Sequence, residues 1–219
     1  MPRLSVQAVV CDMDGTLFDT EALYRVAFMQ AVAAFGYTLS ETAYRSLIGI
    51  SSRERGALMR RHLGEGFPWA ACLADYAGRK AGLLRDGIPL KPGAAELLDE
   101  LAARGVPRGL ATSATRPTAL GLLGRAGLLD RFDCVVTRDD VERGKPHPDP
   151  FLRAAACLGV PPERCVALED SPPGVHAAHA AGMPAIMVPD ALAATEEVRR
   201  KCLAVAADLH EVAGLLRSV

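Results

Sequence analysis

The sequence predicts an α/β protein in which helices cover both faces of a parallel sheet, with an all-helical insert after the first strand. Three observations lead there. Short apolar, β-branched runs alternate with stretches of helical spacing. The segment from Glu21 to about Gly87 shows no strand pattern. Acidic, hydroxyl and basic residues stand where the strand runs stop.

The first run, Val6 to Cys11, ends at Asp12 and reads as a buried strand. Val106 to Ala111, Cys134 to Thr137, Cys165 to Leu168 and Ala185 to Val188 read the same way. Helical patterns fall between them over Gly93 to Arg104, Arg116 to Ala126, Pro148 to Leu158 and Pro173 to Ala181. Within the insert, Leu23, Val26 and Ala27, then Leu58, Met59 and Leu63, then Trp69, Leu73 and Tyr76 recur at helical spacing. Gly36, Gly49, Gly64, Gly66, Pro68 and Pro89 divide them into about four helices. The expected organisation is a core of residues 1–19 and 88–219 with a small helical cap over 20–87, and Pro89 to Gly93 as the return hinge.

Composition narrows the function. Half of the 219 residues are hydrophobic, 23% are charged and the formal net charge is −1. This balance suits a soluble globular chain and offers no electrostatic footprint for nucleic acid. No apolar stretch approaches a membrane span, and no charged-then-apolar leader opens the sequence. The six cysteines form no CxxC pair, and most lie in apolar runs, so free thiols in a reduced, cytoplasmic protein are expected. Of the basic residues 21 are Arg and only four are Lys, which directs some attention to Lys145.

Chemistry concentrates at the strand ends. Asp12-Met13-Asp14-Gly15-Thr16 follows the first strand, and carboxylates at i and i+2 need a cation or a shared proton between them. Gly15 lets the chain turn sharply beside a ligand. Taken alone, the segment also fits a simple Asp-Gly turn. The other strand ends argue against that: Thr112-Ser113-Ala114-Thr115 precedes a helix, Gly144-Lys145-Pro146 precedes another, and Glu169-Asp170-Ser171 closes the fourth run. Thr112 competes with Ser113 as a hydroxyl anchor, and a helix start explains Thr115 and Arg116 as well as phosphate contact does.

With DxDGT at 12–16, Ser113, Lys145 and Glu169-Asp170 in that order, the chain resembles the haloacid dehalogenase superfamily, in particular its helical-cap phosphatases and phosphomutases. The resemblance spans essentially the whole sequence. It implies a Rossmann-like core with a cap inserted after the first strand. It implies Asp12 as nucleophile, Asp14 as general acid and base, Ser113 and the Ala114 amide on the phosphate, and Lys145 as the neutralising charge. Mg²⁺ is expected on Asp12, the Asp14 carbonyl and Asp170, with Glu169 as ligand or support. Gly15 and Thr16 shape the turn against the phosphate.

Substrate choice is expected in the cap, from Ser52 and Arg53 in the loop Gly49 to Arg53, and from Lys80 beside Arg79. The expected activity is hydrolysis of a small phosphorylated metabolite, a sugar phosphate or a phosphoglycolate-like acid, by a monomer or weak homodimer. A β-phosphoglucomutase-like mutase is the alternative, weakened because Tyr24 stands where such mutases place a cap histidine. A non-enzymatic binding protein on the same fold is a further alternative.

Overall fold

The computed structural model describes residues 6–48, 52–83 and 87–218, and only the backbone of Ser52 and Arg53. In chain order the elements begin with β1 (Ala8–Cys11). Four helices follow: α1 (Thr20–Ala34), α2 (Glu41–Arg45), α3 (Ser52–Leu63) and α4 (Trp69–Leu83). The chain continues through α5 (Ala94–Ala103), β2 (Arg108–Ala111), α6 (Arg116–Arg125), β3 (Cys134–Val136), α7 (Asp149–Leu158), β4 (Cys165–Glu169), α8 (Pro172–Ala180) and β5 (Ala185–Met187). It closes with α9 (Glu196–Arg199), β6 (Ala204–Val205) and α10 (Leu209–Ser218).

The strands form one parallel sheet in the order β3-β2-β1-β4-β5-β6. Strand order reverses around β1, so β1 and β4 lie side by side and their carboxyl ends open onto the crevice where such sheets bind ligands. Every residue of β1 and of β4 is buried, which is why β1 and the Cys165–Leu168 part of β4 read as unbroken apolar runs rather than alternating ones. Local signals set the helix starts: Ser171 Oγ accepts the Gly174 amide at 3.3 Å, with Pro172 and Pro173 opening α8. Five of the six strands match the sequence reading. The sixth, β6, has two half-buried residues and is too short to show a period.

The chain divides into two units, Met1–Asp19 with Pro89–Val219, and Thr20–Ile88. The second holds only helices among its described residues. Its own core packs α1 along α4 around Phe28, whose ring centroid lies 5.3 Å from Tyr76, 5.8 Å from Tyr44 and 6.3 Å from Trp69. In the first unit, Leu17 to Asp19 and Pro89 to Lys91 run together. The Asp19 amide donates to Pro89 O and the Lys91 amide to Leu17 O, each at 2.9 Å. None of the described helices is long and apolar enough to cross a membrane.

One expectation is corrected. The sequence reading took all six cysteines as free, but Cys134 and Cys157 are joined by a disulfide. Cys134 opens β3 and Cys157 lies in α7, which packs on β2 and β3, so the fold brings their Cα atoms to 6.2 Å. A separation of 23 residues carried no such signal. Cys11, Cys72, Cys165 and Cys202 are free.

Candidate active site

The core residues singled out in the sequence come together at the carboxyl ends of β1, β2 and β4. Asp12 follows β1 with its amide still in the sheet, donating to Leu168 O at 2.8 Å. The chain then folds back: the Leu17 and Phe18 amides both return to Met13 O at 3.0 Å, and the Gly15 amide donates to Phe18 O at 2.9 Å. Gly15 has φ +86°, and a β-carbon there would overlap the Asp170 side chain. Thr16 is fully buried, and its hydroxyl makes a long 3.5 Å bond to Asp170 Oδ1. The Gly-Thr half of the motif therefore seats Asp170, while Asp12 and Asp14 line the cavity.

Lys145 reaches the same point from the loop before α7, next to a cis Lys145–Pro146 bond. Its Nζ donates to Asp12 Oδ1 at 2.5 Å, to Glu169 Oε1 at 2.5 Å and to Ala111 O at 2.8 Å, which uses all three ammonium protons. Its side chain is only 6% exposed, so it is no solvated loop lysine. The other Glu169 oxygen, Oε2, accepts the Asp170 amide at 3.1 Å, the Ser171 amide at 3.2 Å and the Ser171 hydroxyl at 2.9 Å.

Ser113 is exposed and lines the cavity, whereas the Thr112 hydroxyl accepts the Ala114 amide at 3.0 Å. The amide expected on a phosphate thus serves the β2–α6 loop itself here. Arg116 is also committed: its guanidinium takes both Asp140 oxygens, at 2.6 and 2.7 Å. The cavity measures about 250 Å³ and is lined by Asp12, Asp14, Thr112, Ser113, Lys145 and Asp170 with Ser171 and Pro173.

Its electrostatics are unbalanced. Asp12, Glu169 and Asp170 place one oxygen each within 4.8 Å of one another, against a single ammonium. Burial pushes Asp12 up to about 8; Lys145 opposes this, and Glu169 and Asp14 add to it. Burial, then Glu169 and Asp12, raises Asp170 well above the usual carboxylate range. Burial works to lower Lys145, but Asp12 and Glu169 overcome it and hold the ammonium charged. Three crowded carboxylates against one ammonium leave a deficit of positive charge that suits a divalent cation such as Mg²⁺. Asp12 and Asp170 fit as its ligands. Glu169 fits as a support, because both its oxygens already have hydrogen-bond donors.

A family model described as haloacid dehalogenase-like hydrolase matches residues 6–182. The chain belongs to that family. It is an enzyme, with a catalytic-aspartate site of the phosphatase kind. This hydrolase is 37% identical to Protein CbbY of Rhodobacter capsulatus over 199 residues, 85% of this chain and 86% of CbbY. It is 33% identical to a phosphorylated carbohydrates phosphatase of Thermotoga maritima over 182 residues, 81% of this chain and 82% of the relative. The crystal structure of CbbY from Rhodobacter sphaeroides in complex with phosphate superposes with a TM-score of 0.76 at 32% identity, covering 94% of this chain and 96% of that one.

The helical unit of the hydrolase has a cavity of its own, about 270 Å³, walled by Glu21, Tyr24, Tyr44, Arg55, Tyr76 and Lys80 over apolar residues. Lys80 Nζ stands 3.7 Å over the Tyr24 ring, and the Tyr44 hydroxyl donates to Glu21 Oε1 at 2.8 Å. Burial, reinforced by Glu21, pushes the Tyr44 phenol well above its usual range. Lys80 was foreseen. Its neighbour Arg79 instead pairs with Asp75 along α4. Gly49, Ile50, Ser51 and the side chains of Ser52 and Arg53 lie outside the described residues. Sequence reasoning missed Glu21, Arg55, Tyr44 and Tyr76. The spacing of Glu21, Tyr24 and Phe28 on α1, and of Tyr76 and Lys80 on α4, carries the signal of a shared face.

Proposed function

We propose that this hydrolase is a Mg²⁺-dependent phosphatase that cleaves a small phosphate monoester through an aspartyl-phosphate on Asp12. The observation that carries the reading is Lys145. One buried ammonium fixes the Asp12 carboxylate from one side and Glu169 from the other, in a cavity that also holds Asp14, Ser113 and Asp170.

The Asp12 carboxylate attacks phosphorus, forming an acyl-phosphate bond as the bond to the leaving oxygen breaks. Asp14 supplies the proton that the leaving alkoxide takes up. The same carboxylate then accepts a proton from the water that attacks phosphorus, which releases inorganic phosphate and restores Asp12. Ser113 Oγ binds a phosphate oxygen at the mouth of the β2–α6 loop. Lys145 offsets the charge of nucleophile and phosphoryl group together. Asp12, Asp170 and the Asp14 carbonyl, with Glu169 in support, would hold Mg²⁺, which would supply the remaining neutralisation of negative charge.

The non-phosphate part of the substrate is assigned to the cap. A cavity edged by Glu21, Arg55 and Lys80, with three tyrosines, offers charge, donors and acceptors to a hydroxylated or anionic group. A sugar phosphate or phosphoglycolate-like acid answers that chemistry, and the similar Thermotoga protein is described as a phosphatase of phosphorylated carbohydrates.

The test is a panel of phosphorylated metabolites with Mg²⁺, following free phosphate and isomerised hexose phosphate in parallel. Phosphate release that disappears in a folded Asp12→Asn protein is the expected result. Isomer in place of free phosphate would replace hydrolysis by the mutase reaction. Undiminished turnover by Asp12→Asn would remove the nucleophile assignment.

A further inference from the structure

Beyond the residues that meet the substrate, one half-buried ion pair stands close to Gly15 of the Asp12 turn. Asp190 follows β5 by three residues and accepts a 2.8 Å hydrogen bond from Lys91 Nζ through Oδ1; their side chains are 15% and 17% exposed. Lys91 is itself fixed, because its amide donates to Leu17 O in the segment that leaves the Asp12 turn. The second Asp190 oxygen, Oδ2, is buried and has no hydrogen-bond partner among the described residues. A buried carboxylate oxygen left without a donor is costly and calls for an explanation.

The direction of that oxygen supplies one. A β-carbon added to Gly15 would overlap Asp170 and stand 3.3 Å from Asp190 Oδ2. The two carboxylates therefore converge on the same space, the one that the missing side chain of Gly15 leaves open. Two negative groups aimed at one point without a shared donor repel each other, unless charge or water of the opposite polarity joins them. A hard cation such as Mg²⁺ keeps several waters, and each offers protons to acceptors around it.

We infer that Asp190 is a positioning residue of the cation site: pinned by Lys91, it presents Oδ2 as an outer acceptor and negative charge beside Asp170, and so strengthens binding of a hydrated divalent cation. The inference rests on the reading of Asp12 and Asp170 as cation ligands. Lys91 has two opposing effects in this arrangement. It orients Asp190, and its positive charge offsets part of what Asp190 offers.

That opposition gives the test its form. Mg²⁺ alone is titrated calorimetrically into the metal-free 219-residue chain and its variants, with melting in EDTA recorded alongside. Asp190→Asn keeps the shape and the bond to Lys91 but removes the charge, so Mg²⁺ affinity should fall about 10-fold, the scale of an outer-shell partner. Lys91→Gln keeps a polar donor, one bond shorter, and removes the opposing charge, so affinity should rise several-fold. A purely structural pair would lower melting temperature in both variants and shift affinity equally or not at all; either pattern overturns the inference. If Asp190→Asn fails to fold, Lys91→Gln decides alone, and unchanged or weaker binding overturns the inference. Asp170→Asn separates the two readings. Mg²⁺ binding lost in Asp170→Asn but unchanged in Asp190→Asn refutes only the positioning role, whereas no binding by the unmodified chain refutes the cation site and this inference with it.

Discussion

The carboxylate of Glu169 occupies the space that a β-carbon on Gly174 would fill. Gly174 is in the first turn of α8, so its lack of a side chain lets the helix amino end close over Glu169. There Glu169 collects the Asp170 and Ser171 amides and the Ser171 hydroxyl while still holding Lys145. Gly174→Ala opposes two effects. Alanine favours the helix by about 1 kcal/mol, while overpacking a filled site costs about 1–3 kcal/mol. The neighbour in the way is a buried, bonded carboxylate that has nowhere to move, so the loss should prevail. The expected variant is less stable in urea. Its kcat is also about 10- to 100-fold lower, because displacing Glu169 loosens Lys145, which holds Asp12 from the other side. A variant with unaltered kcat would show that the Glu169 seat does not matter to the nucleophile.

Burial of Asp12 gives the metal-free protein a pH-dependent contribution to stability. Its carboxyl is pushed from an ordinary 3.8 to about 8. Between those values the folded chain keeps a proton that the unfolded chain has released, so stability falls as pH rises. The contribution from this group is complete below about pH 4 and gone once pH passes 8. Melting temperature in EDTA should therefore decline from pH 5 to pH 8 in the unmodified protein and decline less in Asp12→Asn, which should be the more stable of the two at pH 8. Saturating Mg²⁺ should reverse that order, since a cation that binds only the folded state stabilises it. Equal slopes for the two proteins would place the pH dependence elsewhere.

What could be read from the sequence follows from how local each signal is. β1 and β4 were plain because both faces are buried and their residues are apolar up to Glu169 at the end of β4, and the DxDGT segment was plain because its turn is made by its own residues. The pairing of Lys145 with Glu169 was not, since loop and strand end meet only through the sheet order. Asp190 escaped although Val188-Pro189-Asp190 is one more acid at a strand end, the rule that selected Asp12 and Asp170; only its convergence on Gly15 marks it out. The cap cavity escaped because Arg55 and Glu21 resemble ordinary helix-surface charges until α1, α3 and α4 are assembled. The disulfide escaped because sequence separation says nothing about which face of α7 meets β3.

Arg116 shows how a residue near the phosphate loop is reassigned by geometry. Its amide donates to Asp139 at 2.8 Å and its guanidinium grips both Asp140 oxygens, while Asp140 Oδ2 also accepts the Thr137 amide at 2.8 Å and the Thr137 hydroxyl at 2.6 Å. The Arg116 hydrogen bond is the largest cause holding the Asp140 carboxyl down at about 2. The pair thus clips the start of α6 to the turn after β3. Lysine cannot reproduce the two-pronged contact, and the pair is 44% and 24% exposed, so Arg116→Lys should cost only about 0.5–1 kcal/mol in urea unfolding. Its KM should stay within about twofold of the unmodified enzyme, because a bond worth tenfold in binding would be about 1.4 kcal/mol. Ser113→Ala, by contrast, should raise KM with little change in stability. A large KM rise in Arg116→Lys with unaltered unfolding would return Arg116 to the phosphate.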